Sequence, residues 1–323
     1  MPVVSPTRNS RLNPKNEGIV SAKQSDRQES HGSFWPIQRF DPNLEISKKW
    51  SSWRQVVGSW GLFLLLLCPV TATADEAHWI FLPDSPLFQP VIGDPRERFT
   101  ALIIHTNENL FEGDIGGTVE LVRYLPPDRT QWAAGIYGSG TVLFNEAGGI
   151  YPMRAGDWFV GLYASESSGL FSNRFAFEHE SSHLGDSLQG IIAPIIYNGE
   201  NLNFADTFEP SEYLRFTAQL GVWISGLPED KDLFGALETE IYTPGFYLGG
   251  TFTRGYVTAH FGWKDEAGGV LNKNLELGIQ FKFKKEETRD LRVALVYYDG
   301  NSEFGQFYLN HDEHVGFGVY FDP

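Results

Sequence analysis

The feature that most constrains the fold is a strict alternation of apolar and polar residues over stretches of about ten positions. In the segment 274–284, apolar residues occupy 275, 277, 279, 281 and 283, and polar residues or glycine fill the positions between them. Successive side chains of a β-strand point to opposite faces, so this period predicts a strand with one apolar face and one polar face. A tilted strand of about 9–11 residues is long enough to cross a bilayer.

The same period recurs along the chain after Asp75, and no long segment with helical periodicity is found there. Twelve strands are predicted, at 99–105, 117–125, 132–144, 157–165, 173–183, 214–224, 234–242, 246–253, 257–263, 274–284, 291–297 and 315–321. Because every predicted element is a strand, we expect an all-β fold. Twelve is also an even number, as is usual for single-chain barrels of this kind. The expected architecture is an antiparallel transmembrane β-barrel of about 12 strands, with a range of roughly 10–14.

An export signal is predicted ahead of the barrel. Residues 1–47 are polar and aperiodic, which is typical of a disordered leader or of a start assigned too early. Residues 48–74 combine a basic beginning, a short apolar run and the cleavage pattern Ala72-Thr73-Ala74, as a signal peptide does. We therefore expect cleavage after Ala74, a barrel domain at 75–323, and localisation in the bacterial outer membrane. An uncleaved anchor is the alternative, and the shortness of the apolar run disfavours it.

Composition narrows the function classes. Aromatic residues make up 15% of the chain and there are 34 glycines, which suits antiparallel sheet. A formal net charge of −16 argues against nucleic acid as a partner, because phosphate backbones would be repelled. The single cysteine, Cys68, allows neither an internal disulfide nor a cysteine-based metal site. No cofactor and no metal site is predicted. The histidine-containing segment 311–314 could bind a cation weakly, but it is interpreted as a solvated loop.

A soluble periplasmic β-barrel would show the same period. The export signal and the length of the strands favour a membrane barrel instead. Trp and Tyr near strand ends indicate an interfacial girdle. These residues are Trp132, Trp158, Trp223, Trp263, Tyr297 and Tyr298.

The polar positions of the alternating strands are candidates for lining the lumen, since the apolar face of a membrane barrel meets lipid. The lumen-lining candidates are Arg215, Gln219, Glu276, Gln280, Lys282 and Arg292.

The predicted strand 173–183 carries the densest polar cluster. Its charged face, with Arg174 and Glu178, should look into the lumen, so His179 and Ser181 should face outward. This arrangement resembles the His-x-Ser motif of the outer-membrane phospholipase A and lipid A deacylase families, whose His and Ser stand on the lipid-facing side of a strand. The resemblance implies His179 as base and Ser181 as nucleophile, with no third member assigned from the sequence. Those families follow the serine with Asn, whereas here Ser182 follows. Counting strands from a periplasmic N-terminus places this pair toward the external leaflet.

A wider resemblance extends over most of the chain after residue 75. The stretches that carry it are LPDSPLF at 82–88, DPR at 94–96, HESSHLGD at 179–186, YYDGNSEFGQF at 297–307 and GFGVYF at 316–321. In this order they look like a family of uncharacterised bacterial proteins, named only as a domain of unknown function. The resemblance implies a β-rich exported protein and supplies no activity.

The leading hypothesis is a non-enzymatic outer-membrane barrel that serves as a narrow channel, a binding protein or a structural component. Its partner is the lipid bilayer, and a small-molecule or lipid ligand stays open. A lipid hydrolase using His179 and Ser181 is the first alternative, and a soluble periplasmic barrel is the second.

Overall fold

A computed structural model of the chain describes residues 77–97, 100–106, 109–127, 130–147, 149–229, 231–285 and 289–322. The predicted leader and signal peptide lie outside these residues. The described ranges contain fourteen strands: β1 (His78–Phe81), β2 (Thr100–His105), β3 (Leu110–Leu125), β4 (Gln131–Asn145), β5 (Met153–Ser168), β6 (Phe171–Leu184), β7 (Tyr197–Ser211), β8 (Leu214–Leu227), β9 (Leu233–Tyr242), β10 (Phe246–Leu248), β11 (Thr251–Lys264), β12 (Asn272–Lys282), β13 (Asp290–Asn301) and β14 (His311–Asp322). Among the described residues, no helix has the length and apolar character needed to cross a membrane.

Twelve of these strands close into one antiparallel barrel. The ring consists of β2–β9 and β11–β14, each paired with the ring strands before and after it, whereas the short β1 and β10 pair only with β3 and β11. The ring is closed by β14, which pairs with β2 over Gly316–Tyr320 and Ala101–His105. The predicted antiparallel barrel of about twelve strands is confirmed.

The N-terminal strand of the wall is interrupted. On the same edge of β3, β1 pairs with residues 122–125 and β2 pairs with residues 111–115. The chain between them, from Pro83 onward, leaves the wall and returns at Thr100. We call residues 83–97 the inner segment.

The predicted number of barrel strands is right, although one predicted strand is wrong and one strand was missed. The predicted strand 246–253 is wrong, because β10 ends at Leu248 and a turn separates it from β11. Strand β7 at 197–211 was not predicted, since Asn, Glu and Asp occupy positions on both of its faces and weaken the alternation.

The barrel has its polar residues inside and its apolar residues outside. Along β12, for example, Asn274 and Glu276 are buried, whereas Leu275 and Leu277 are exposed. The aromatic girdle is only partly as expected: Trp132 and Trp158 are exposed, but Trp223 and Tyr298 are buried.

Tyrosine rings also pack on the inner face where a glycine stands opposite. Tyr137 of β4 is in register with Gly161 of β5. A Cβ atom at Gly161 would lie 2.4 Å from the Tyr137 ring, so a residue without a side chain is required there.

The two ends of the barrel differ. One, which we call the proximal end, holds the start of β1, the end of β14 and the two-residue turns 169–170 and 212–213. The proximal end also carries the connections 243–250 and 283–289, but the two longest connections between ring strands, 185–196 and 302–310, lie at the other end, which we call the distal end. In the part of the chain that the structure describes, the short 3-10 helices Asp186–Leu188, Asp265–Ala267 and Gly305–Phe307 all lie in distal connections.

Candidate functional site

The lumen is the most highly charged interior region of the described chain. Its wall carries buried acidic side chains from six strands and fewer basic ones. The buried wall acids are Glu112, Asp114, Glu120, Asp157, Glu178, Glu180, Glu238, Glu240, Glu276 and Asp290, and the buried wall bases are Arg174, Arg215, Lys264 and Arg292. Buried charges are tolerated only when they are paired and hydrogen-bonded, so the partners of these groups determine what the lumen can do.

The inner segment supplies many of those partners because it crosses the lumen. Near its start, Glu120 of β3 accepts a hydrogen bond from the Leu87 amide at 2.6 Å, and Arg123 donates to the Ser85 carbonyl at 2.6 Å. The side chain of Phe88 is buried at 3% exposure, and Val91 is fully buried. The segment is therefore packed inside the barrel and is not a surface loop.

Arg96 forms the centre of the anchorage. Its Nη2 donates to Glu178 Oε1 at 3.0 Å and to Glu180 Oε2 at 2.8 Å, both on β6. The guanidinium also lies over the ring of Phe159, 4.8 Å from the centroid. Burial alone would lower the pKa of Arg96, but Glu180 and Glu178 hold it well above its ordinary value. Arg96 therefore stays charged and ties the segment to the wall.

The opposite wall holds the backbone of the segment. Arg215 of β8 donates to the carbonyls of Gln89 and Pro90, each at 2.7 Å. The amide of Gly93 donates to Glu238 Oε1 at 2.9 Å, and its carbonyl accepts from Asn274 Nδ2 at 2.8 Å. These contacts fix one conformation of the segment between β6 on one side and β8, β9 and β12 on the other.

Two cavities flank the inner segment. The larger, of about 570 Å³, lies at the proximal end and is bounded by Pro90 and Ile92 of the segment and by Arg254 and Lys282 of the wall. The smaller, of about 60 Å³, lies on the distal side and is bounded by Arg96 and other polar residues. The segment separates them, so the larger cavity is a vestibule that ends at the segment.

A second closure is made at the distal end by the connection 302–310. The Gly305 amide donates to Asp157 at 2.8 Å, and the Gln306 amide donates to Ser182 Oγ at 3.0 Å, so the loop folds into the mouth. Glu303 accepts hydrogen bonds from Lys264 at 2.9 Å and Asn272 at 2.7 Å. Burial would raise the pKa of Glu303, but the Lys264 ammonium and these hydrogen bonds lower it to about 2.

The six lumen-lining candidates all belong to the interior. Arg215, Glu276, Gln280 and Arg292 are buried. Gln219 borders the distal cavity, and Lys282 borders the vestibule. They do not form one cluster: Gln219 is separated from Lys282 by the inner segment.

On the outer face, the structure places Glu200 beside His179, one member of the predicted pair His179 and Ser181. His179 and Ser181 are partly exposed on β6, two residues apart and on the same face as Phe175 and Phe177. His179 Nδ1 lies 3.0 Å from Glu200 Oε1 of β7, with the two side chains 45% and 38% exposed. The other oxygen of Glu200 accepts a hydrogen bond from Ser225 Oγ of β8.

Sequence reasoning missed the inner segment and Glu200. The inner segment could have been found from the residues, because the prolines at 83, 86, 90 and 95 cannot continue a sheet, which signals that the chain leaves the wall. Glu200 was missed together with its strand, because a partner across two strands depends on register rather than on spacing in the sequence.

Comparison with known proteins gives one result. The model of a family described as "Protein of unknown function (DUF1207)" matches residues 70–322. No curated protein and no solved structure matches.

Proposed function

We propose that this chain, which belongs to the family of proteins of unknown function DUF1207, is a bacterial outer-membrane barrel that acts as a normally closed, gated channel for small polar solutes. The observation that carries the proposal is a charged lumen that an internal segment of the same chain divides into a vestibule and a small distal cavity.

The outer surface supports the membrane part of the proposal. Large apolar side chains are exposed on every side of the wall, for example Val160 at 58%, Leu237 at 63% and Leu277 at 60%. Soluble monomers rarely expose contiguous apolar patches above a few hundred Å². A surface of this kind is stable in contact with lipid, where each apolar side chain avoids water.

The ends of the barrel support an orientation. In outer-membrane barrels, short turns face the periplasm and longer loops face outward. The proximal end, with its two-residue turns, would then be periplasmic, and the vestibule would open toward the periplasm. The distal loops would close the external mouth.

Membrane insertion is tested first. The native protein is expected in the outer-membrane fraction of a density gradient, and the refolded protein in the detergent-rich phase of a phase-partition experiment. Recovery in the aqueous phase would favour the soluble periplasmic barrel and would remove the channel.

Gating is tested by shortening the inner segment. The Leu82 amide donates to the Leu121 carbonyl, and Thr100 pairs with Ile115. The two ends of the segment therefore lie six residues, or about 20 Å, apart along β3. A linker of about seven Gly and Ser residues in place of 84–97 can span this distance without entering the lumen. In planar bilayers, we expect rare or no openings of the wild type and more frequent openings of the shortened variant, which still carries the distal closure by 302–310.

Two controls accompany this experiment. Heat-modifiable gel migration shows whether the shortened barrel folds, and Lys273→Ala, which changes an exposed ion pair with Asp299, should conduct no more than the wild type. A variant that combines the shortened inner segment with Gly and Ser residues in place of 303–309, and that folds and inserts but passes no current, would contradict the channel.

A second function is favoured by the hydrogen bond between His179 and Glu200. In a lipid hydrolase, the Ser181 hydroxyl would attack an ester carbonyl while His179 accepts its proton, and Glu200 would orient and stabilise the imidazolium. Collapse of the tetrahedral intermediate would expel the alcohol, protonated by His179, and water would then release the acid from the acyl-serine.

The hydrolase is tested with purified barrel and phospholipid or lipopolysaccharide substrates, with and without calcium. Turnover that is abolished in Ser181→Ala, strongly reduced in Glu200→Gln and retained in Ser211→Ala, an exposed serine at the proximal end, would support it. No turnover by the wild type would end this second proposal and would leave the channel untouched.

A further inference from the structure

Three side chains with metal-binding atoms converge where the barrel closes. His105 ends β2, Glu112 lies on β3 and His314 lies on β14, so three adjacent strands contribute one residue each. All three are buried, with 4%, 4% and 5% exposure. One potential ligand atom from each lies within 4.8 Å of the others.

The arrangement of these three side chains is more typical of a metal site than of a packed core. The His105 and His314 rings are stacked, with centroids 3.8 Å apart and planes 13° apart. His105 Nε2 lies 3.0 Å from Glu112 Oε1. His105 Nδ1 is buried and has no hydrogen-bond partner among the described residues. Two buried imidazoles in parallel, beside a carboxylate, place several lone pairs in a small volume.

We propose that His105, Glu112 and His314 bind one divalent transition-metal ion of the zinc class. Two imidazoles and a carboxylate are the ligands that such ions prefer, whereas Ca²⁺ and Mg²⁺ prefer oxygen ligands alone. Bonds of about 2.0–2.2 Å require ligand atoms about 3.3 Å apart, which small side-chain rotations from the observed arrangement achieve. One cation neutralises the buried carboxylate and uses lone pairs of both rings.

A fourth residue orients one of the ligands. Asp312 Oδ1 lies 3.1 Å from His314 Nδ1. A carboxylate that accepts a hydrogen bond from one nitrogen of an imidazole fixes the tautomer and leaves the other nitrogen for the metal. The Asp312 side chain is 26% exposed, so the cluster is one side chain away from solvent at the distal end.

The position gives the metal a structural role. The pairing of β14 with β2 closes the ring and joins only five residue pairs, whereas β13 and β14 join twelve. A metal bound by residues of β14, β2 and β3 cross-links the two sides of this seam, the β14–β2 pairing. Because the three ligands come together only when the barrel closes, metal binding adds directly to the stability of the closed barrel.

The proposal is tested on the full-length barrel, refolded in detergent and stripped with a chelator. We expect one Zn²⁺ per chain by titration calorimetry, Co²⁺ absorption bands typical of a four- or five-coordinate site, and a higher denaturant midpoint with Zn²⁺ than without it. These wild-type measurements need no variant, and failure to bind a single equivalent of Zn²⁺ or Co²⁺ would overturn the proposal.

Variants locate the site. His314→Gln and Glu112→Gln should each lose the Zn²⁺-dependent increase in stability, and Asp312→Asn should weaken binding by about 10–100-fold. His311→Ala is the matched control, because His311 is three residues from His314 but 63% exposed. Unchanged binding in His314→Gln, or loss of binding in His311→Ala, would assign the ion to surface histidines instead. If His314→Gln does not fold, His105→Gln provides the same comparison.

Discussion

Arg96→Ala is the most informative single perturbation of the lumen. The substitution removes the donor that Glu178 and Glu180 share. Glu178 keeps hydrogen bonds from the Tyr137 hydroxyl at 2.7 Å and from Asn201 Nδ2 at 3.0 Å. Glu180 is 1% exposed, and its other oxygen has no hydrogen-bond partner among the described residues. The cost therefore falls mainly on Glu180.

The magnitude follows from what a buried carboxylate can do once its ion-pair partner is removed. Removing one partner of a buried ion pair costs about 3–5 kcal/mol. The carboxylate can also become neutral by taking up a proton, which for an ordinary glutamate at pH 7 costs about 3–4 kcal/mol. This protonation cost is an upper limit on the free energy lost by leaving the Glu180 charge without its partner. We expect Arg96→Ala to lower the free energy of unfolding by about 3 kcal/mol at pH 7.

The double variant Arg96→Ala/Glu180→Gln distinguishes this explanation from simple loss of packing. Since Gln carries no charge, the double variant should recover about 2 kcal/mol of the loss, and the two substitutions should not be additive. Urea or guanidinium unfolding in detergent micelles, followed by tryptophan fluorescence, measures each variant. The exposed pair Lys273–Asp299 provides the control, and Lys273→Ala should change the midpoint little. An Arg96→Ala barrel as stable as Lys273→Ala, or strictly additive substitutions, would refute the reasoning.

Three further predictions address other parts of the chain. Gly93→Val should destabilise the barrel by about 1–3 kcal/mol, because a Cβ atom there would lie 2.7 Å from Thr258 Oγ1; an unchanged unfolding midpoint would show that the inner segment is not held closely. The low pKa of Glu303, about 2 against an ordinary 4.5, means that its stabilisation is complete above pH 4.5 and is lost as the pH falls toward 2; the difference in midpoint between wild type and Glu303→Gln should therefore shrink over that range, and a constant difference would contradict this. N-terminal sequencing of the native protein should begin near Asp75, and a first residue before Gly61 would refute the predicted cleavage.

The strands with one clean apolar face could be predicted from the residues alone. Leu275, Leu277 and Ile279 alternate with polar neighbours, so the period by itself fixes both the strand and the face that meets the outside. The same reasoning failed for β7, where Asn198, Glu200 and Asp206 share the outer face with apolar residues. Its pairing with β6 and β8, rather than its own pattern, makes it a strand.

Alternation along each strand is enough to predict the inside-out barrel, because it is a local property: each residue's face follows from that of its neighbour along the strand. It took the folded structure to show that residues 83–97 fill the lumen, that Glu200 reaches His179, and that His105, Glu112 and His314 meet at the seam. These contacts join residues up to 209 positions apart in the chain, and they depend on strand order, register and closure of the ring. Spacing along one strand carries no information about them, since a shift of register by one residue would reverse every face while leaving the sequence unchanged.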